Sequence, residues 1–161
     1  MPLWHGVSAA GRHEYPTLNI FPPMQAQFER HFKVRDYECD LQGIVNNAIY
    51  QYYTEHTRNE FLRTKLGGID HFHKRGIDTV VARLEMQFKA PLRPGDEFVC
   101  TLNVSKEGLK YLFSQDILRL PERKLCVHAL TTVVCVVNGR LGRCDELDVL
   151  LPGVESENIG S

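Results

Sequence analysis

Hydrophobic and polar positions alternate from Phe28 to Val34, where Phe28, Phe32 and Val34 share one parity and Glu29, His31 and Lys33 the other. Successive side chains of a strand point to opposite faces, so this alternation predicts a half-buried strand. The spacing then changes. Across Asn46–Leu66, residues Ile49, Tyr50, Tyr53, Thr57, Phe61 and Leu62 recur at intervals of three and four, which sets them on one stripe of a long helix. Asn46 or Asn47 supplies an N-cap side chain and Gly67-Gly68 a stop. Arg58, Arg63 and Lys65 bring positive charge to its last turns, where it suits the helix dipole. Residues Ile69 to Asp78 read as a short irregular connection.

Beyond that connection the period is two. Val80, Ala82, Leu84, Met86 and Phe88 form one apolar face, opposed by Arg83, Glu85 and Gln87. Phe98, Cys100, Leu102 and Val104 form a second, and Leu109 to Leu120 is a third strand ended by Pro121. Leu125 to Val137 is almost wholly apolar or Thr and reads as a central strand buried on both faces. Asn138-Gly139 signals a hairpin turn into a weaker strand from Arg140 to about Leu147. The order is strand, long helix, then four or five antiparallel strands. This is an α+β architecture in which a long central helix is wrapped by an antiparallel sheet of five to six strands. One helix covers one face of such a sheet, so the other face calls for a second copy of the chain.

Composition narrows the partners. The 161 residues suit one domain, and the apolar (43%) and charged (24%) fractions are those of a soluble globular protein. A net charge of −1 offers no basic field to hold nucleic acid or an anionic membrane. No apolar run approaches the roughly 20 residues that span a bilayer. Five cysteines, none spaced as Cys-x-x-Cys, fit neither a disulfide framework nor a zinc ribbon. They read as reduced, buried thiols in a cytoplasmic protein. Residues 1–25, closed by Pro22-Pro23, form an arm that lacks a secretory apolar core. The folded domain is expected over 26–152, with a tail over 153–161.

The chemistry concentrates in Val34-Arg-Asp-Tyr-Glu-Cys-Asp40-Leu-Gln-Gly43-Ile-Val-Asn46-Asn47-Ala-Ile-Tyr50. A carboxylate, Asp40, sits in a turn directly ahead of a long helix. The first amides of a helix have no partner within it and carry partial positive charge. A carboxylate followed at once by such amides supplies what acyl transfer needs: a group that attacks a carbonyl or activates water, and donors for the oxyanion. Taken by spacing alone, Asp40 reads first as a cap or a turn former, ahead of any catalytic role.

The segment resembles the signature of hotdog-fold thioesterases of the hydroxybenzoyl-CoA and acyl-CoA type. Asp40, Gly43, Ile44-Val45, Asn46-Asn47, Ala48 and Tyr50 fill its places, and Glu55, Arg58 and Glu60 fit further along the helix. A second stretch, Phe88-Lys89-Ala90-Pro91 leading to Gly95-Asp96, resembles the family's hydrophobic-x-Ala-Pro segment. The Asn46-Asn47-Ala-x-Tyr50 variant is similar to single-hotdog acyl-acyl carrier protein thioesterases of plants. The likeness covers about Gln27 to Val137. It implies a thioester hydrolase for acyl-CoA or acyl-acyl carrier protein. Asp40 would be its nucleophile or general base, the Asn47 N–H its oxyanion donor, and Gly43 the turn that brings them together. Val45, Asn46, Tyr50, Phe88, Lys89 and Ala90 would contact substrate, no metal or cofactor would be needed, and the chain would form a dimer or tetramer.

Other residues have plainer readings. Glu55, Arg58 and Glu60 at spacings of two to five read as ion pairs on a solvated helix face, although a mid-helix Glu serves as nucleophile in another thioesterase branch. His56 reads as a helix-face residue, and His71-Phe-His73 lacks further metal ligands. Lys89, Arg93, Lys106 and Lys110 could meet the phosphates of coenzyme A or lie at solvated strand ends. Two further functions remain open: an acyl-CoA-binding module that does not cleave, and a dehydratase or hydratase, for which no His-Phe-Pro type segment is present.

Overall fold

The computed structural model describes residues 25–154. The expected arm up to Met24 and the tail beyond Val154 lie outside the described residues. Strand β1 (Phe28–Lys33) leads into a single 3-10 turn (Asp36–Glu38) and then helix α1 (Asn47–Leu66). A short helix α2 (Asp70–Lys74) precedes strands β2 (Ile77–Phe88), β3 (Glu97–Glu107), β4 (Lys110–Arg119) and β5 (Lys124–Val137). A three-residue strand β6 (Arg140–Gly142) and a 3-10 segment (Asp145–Leu150) follow. All pairings are antiparallel, in the order β1-β3-β4-β5-β2, with β6 added beside the end of β5. A long helix wrapped by one six-stranded antiparallel sheet is the hotdog arrangement that the resemblance implies.

Local chemistry explains the helix bounds. The Asn46 side chain accepts the Ala48 N–H at 3.0 Å, and Gly67 closes the helix at φ 71°, a left-handed conformation costly for residues with a Cβ. Tyr50, Tyr53, Thr57, Phe61 and Leu62 of the expected stripe are all buried. They press on the inward parity of the sheet: Phe98, Cys100, Leu102 and Val104 of β3, Phe113 and Ile117 of β4, and Val127, Ala129 and Val133 of β5. Phe32, Tyr53 and Phe98 form an aromatic knot, with ring centroids 5.4 and 5.1 Å from Phe32.

The structure corrects the sequence reading in three places. The connection expected to be irregular contains α2, which buries Phe72. In β2, the register with β5 passes from Val81↔Val133 to Arg83↔Thr132, so Ala82 is the extra residue of a bulge. The bulge reverses parity, so Val81 and not Val80 shares the inner face with Leu84, Met86 and Phe88. The last strand is short because the chain turns at Cys144 into a 3-10 segment that buries Leu147 and Leu150. That segment is pinned by the two-pronged Arg75–Glu146 pair and by Asp148, which takes bonds from Tyr111 at 2.6 Å and Lys106 at 2.5 Å. The Asn138-Gly139 hairpin has the positive φ values, 49° and 78°, of its expected turn.

Candidate active site

Backbone bonding builds the Asp40 turn. The Asp40 N–H donates to Ile44 O at 2.9 Å and the Gly43 N–H to Asp40 O at 3.0 Å. Cys39 pairs with Val45, and the Asn46 N–H donates to Glu38 O at 3.0 Å. The chain thus folds back on itself and enters α1 at once. Gly43 holds φ 72°, where a Cβ would strain the backbone even though the space beside it is open. One Asp40 carboxylate oxygen accepts the Gln42 N–H at 2.8 Å, and the side chain is exposed in the single chain. Leu41 beside it is fully exposed.

Helix α1 starts with the donors its position predicts. The Ala48 amide is taken by the Asn46 cap and the Ile49 amide by Asn46 O at 2.9 Å. Among the described residues, the Asn47 N–H has no intramolecular acceptor. An exposed, unused amide at the positive end of a 20-residue helix is a donor available to a ligand.

A buried acid anchors this corner. Glu38 is 6% exposed, a costly place for a carboxylate unless it is hydrogen-bonded. It accepts the Tyr53 hydroxyl at 2.6 Å and the Arg35 N–H at 2.8 Å. Burial and the neighbouring carboxylate push the Tyr53 phenol well above its ordinary pKa, so it stays a donor. The turn is therefore bolted to the middle of the first helical half.

The other expected site residues sit around this corner at different depths. Val45 and Tyr50 are core residues. The Tyr50 hydroxyl oxygen accepts the Leu92 N–H at 3.0 Å, while Leu92 O accepts the Val45 N–H at 2.9 Å. Burial raises the Tyr50 phenol to about 12. Asn46 is the helix cap. Phe88 packs against the Tyr50 ring at 5.7 Å, and the Lys89 and Ala90 amides both donate to Cys126 O, at 2.7 and 3.1 Å. The two motifs thus meet at one end of the sheet, joined through Leu92.

Midway along α1 the helix faces a cavity of about 180 Å³ that Thr79 and Val81 of β2 help to line. Glu55, Arg58 and Asn59 form its helical wall, with Ile69, Val81 and Leu147 among its apolar lining. Here the expectation of a solvated charge row fails for Arg58, which is 8% exposed and donates to Gln115 and Thr131. Glu60 does behave as expected, pairing with Arg63 and, at 3.8 Å, Arg30. The sequence held a signal for Arg58: Gln115 occupies an inward position between Phe113 and Ile117, and a buried amide there needs polar partners. Lys106 is committed to Asp148, leaving Lys89, Arg93 and Lys110 as exposed cations. His56 packs edge-on to Phe32 and His73 pairs with Asp78. All five cysteines are free thiols.

Comparison with known proteins gives this geometry a context. A family profile described as the thioesterase-like superfamily matches residues 34–151. A chloroplastic acyl-acyl carrier protein thioesterase of Arabidopsis thaliana is 36% identical over 111 residues, which is 68% of this chain and 58% of the plant protein. The chain therefore spans less than two thirds of that relative's length. A putative esterase of Aquifex aeolicus is 31% identical, with 68% of this chain and 84% of the esterase aligned. A crystal structure of a hypothetical protein from the same bacterium superposes with a TM-score of 0.70 at 30% identity, covering 76% of this chain and 98% of the other.

Proposed function

The chain belongs to the thioesterase-like superfamily, and from that premise we propose that it hydrolyses an acyl thioester of coenzyme A or acyl carrier protein. The observation that carries this reading is the Asp40 turn, which runs directly into a helix whose first amide, Asn47 N–H, is unused among the described residues. In the proposed reaction the thioester carbonyl oxygen accepts the Asn47 N–H. Asp40 then attacks the carbonyl carbon, giving an anhydride that water hydrolyses, or takes a proton from the attacking water. The oxyanion is stabilised by the amide and the helix dipole. The thiolate departs without a triad because it is a good leaving group. Gly43 sets the turn. Val45, Asn46 and Tyr50 hold the corner from behind, and Phe88, Lys89 and Ala90 form the rim along which the carrier arm lies.

In a single chain Asp40 is exposed, so the reading includes a second copy. β2 is an edge strand with Val80 and Val81 44% and 50% exposed. Unpaired edges bearing apolar side chains invite pairing with another strand. A two-fold axis through β2 joins its Phe88 end, beside the Asp40 turn, to the Thr79–Val81 end of the other copy, beside the cavity under α1. Each site then takes its acid from one subunit and its acyl chamber from the other.

The test is Asp40→Asn. We expect thiol release from acyl-CoA to fall at least a hundredfold, the scale of a lost acid-base or nucleophilic group, with the melting temperature kept. Undiminished turnover in the folded variant refutes the role of Asp40. A chain that stays monomeric in solution and still hydrolyses thioesters refutes the shared site.

A further inference from the structure

Helix α1 carries a cation where the rest of its buried stripe is neutral. Arg58 is 8% exposed, and its Nη1 donates to Gln115 Oε1 at 3.1 Å and to Thr131 Oγ1 at 3.2 Å. Neither partner is charged. Gln115 is itself fixed, since its Nε2 donates to Thr54 O at 3.0 Å. Glu55, one turn earlier, favours the charged form through space but accepts no hydrogen bond from Arg58 among the described residues.

Desolvating a guanidinium for two neutral bonds is a poor way to tie a helix to a sheet, because the loss of hydration outweighs what those bonds return. A neutral side chain would do it at lower cost. A guanidinium has five N–H donors, and Nη1 holds only two of them. Among the described residues no fully buried side-chain nitrogen lacks a partner, so the remaining donors keep some accessible surface, and the space that Arg58 lines is this cavity. At about 180 Å³ that cavity matches spaces that take up small hydrocarbons, since an apolar cavity of about 150 Å³ holds a benzene molecule. Leu62, Val81, Phe113, Val133 and Leu147 make most of its wall apolar. Glu55 shares the polar side with Arg58 and disfavours a second negative charge.

We propose that Arg58 is a specificity-determining residue: the chamber beneath it receives the acyl group, and its free donors select acyl groups that carry a neutral oxygen, hydroxyl or keto, away from the thioester. This rests on the thioesterase reading above. A plain hydrocarbon tail leaves those donors dry and unpaired in the filled chamber, whereas an oxygenated one satisfies them.

The experiment pairs a medium straight-chain acyl-CoA with the same chain bearing one hydroxyl or keto oxygen toward its far end. The readout is the ratio of kcat/KM for the two substrates in the wild type, Arg58→Met and Arg58→Lys. We expect the wild type to favour the oxygenated thioester about tenfold or more, the scale of a hydrogen bond to a charged group. Arg58→Met should bring the ratio close to one, and Arg58→Lys should retain part of the preference. A wild type with no preference overturns the proposal without any variant. So does a ratio unchanged in folded Arg58→Met, or an equal loss on both substrates. If the wild type releases no thiol from either, nor from the same two acyl groups on acyl carrier protein, the thioesterase reading fails. The Arg58 assignment is then decided by calorimetric binding of the two non-hydrolysable thioether analogues to wild type and Arg58→Met, with the same ratio expected and the same ratio decisive.

Discussion

Helix α1 meets two polar regions that are built in opposite ways. At its N-terminus the Asp40 turn is made of backbone bonds, sits at the surface, and leaves one amide over. At its middle the Arg58 seam is made of side chains from three elements, lies under the helix, and leaves guanidinium donors over. The first region can position reacting atoms because its geometry is fixed by the chain itself. The second can discriminate because its contacts depend on what enters the cavity. On the proposed reading, chemistry and selectivity fall to different parts of one helix, and the proposed two-fold pairing along β2 would bring the reactive corner of one subunit to the selective chamber of the other.

That division can be broken at the amide alone. Asn47 is the first helical residue, a position that tolerates proline because its N–H lies outside the helical ladder, and the extended backbone of Asn46 (φ −62°, ψ 138°) suits a following proline. Asn47→Pro should therefore keep the helix and remove only the donor. We expect kcat to fall about 10²–10³-fold, the usual cost of one oxyanion donor, while the oxygenated-to-plain substrate ratio set by Arg58 stays put. Circular dichroism and the two-substrate assay check both halves.

A smaller effect comes from the anchor behind the turn. Tyr53→Phe deprives the buried Glu38 carboxylate of its 2.6 Å donor. Leaving a buried acceptor short of a partner costs about 1–3 kcal/mol, and chemical denaturation should show a loss of that size. Activity should drop with stability, since the same carboxylate ties the 3-10 turn to the helix, whereas the substrate ratio should again hold.

The smallest effect belongs to a pair outside both regions. On the outer face of the sheet, His128 Nδ1 lies 2.6 Å from Asp116 Oδ1, and that hydrogen bond raises the imidazole above its ordinary pKa. A raised folded pKa means the added stability is present in full below about pH 6.5, the unfolded value, and is lost as pH rises through the folded value. With about a third of the His128 side chain exposed, the contribution should stay under about 1 kcal/mol. His128→Gln should flatten the stability-pH curve across that window and leave activity unchanged. A flat curve in the wild type would remove the pair as a baseline.

Features fixed by neighbours in sequence were legible in it. The helix from Asn47, its cap and stop, the Asn138-Gly139 hairpin, and the close join of an acidic turn to a helix all follow from residues a few positions apart. Features fixed across the sheet were not. Nothing within β2 marks Ala82 as a bulge; the shift is visible only against β5. The charge row Glu55-Arg58-Glu60 looks solvated by spacing, yet Arg58 turns inward because Gln115 and Thr131 wait there on two other strands. Gln115 at an inward parity was the available clue, and it names a polar seam without saying which helical residue supplies the other half.

The 3-10 segment Asp145–Leu150 gives the cavity a wall of its own. Leu147 and Leu150 line it, but neither belongs to the helix or to the long strands, and their segment is clamped from outside by Arg75 and Lys106. Trimming or bulking these two leucines should therefore resize the cavity proposed for the acyl group while the Asp40 turn and the Arg58 guanidinium stay where they are. Relatives built on this plan could diverge in chain-length preference through the last dozen residues of the domain, a change that leaves the rest of the scaffold intact.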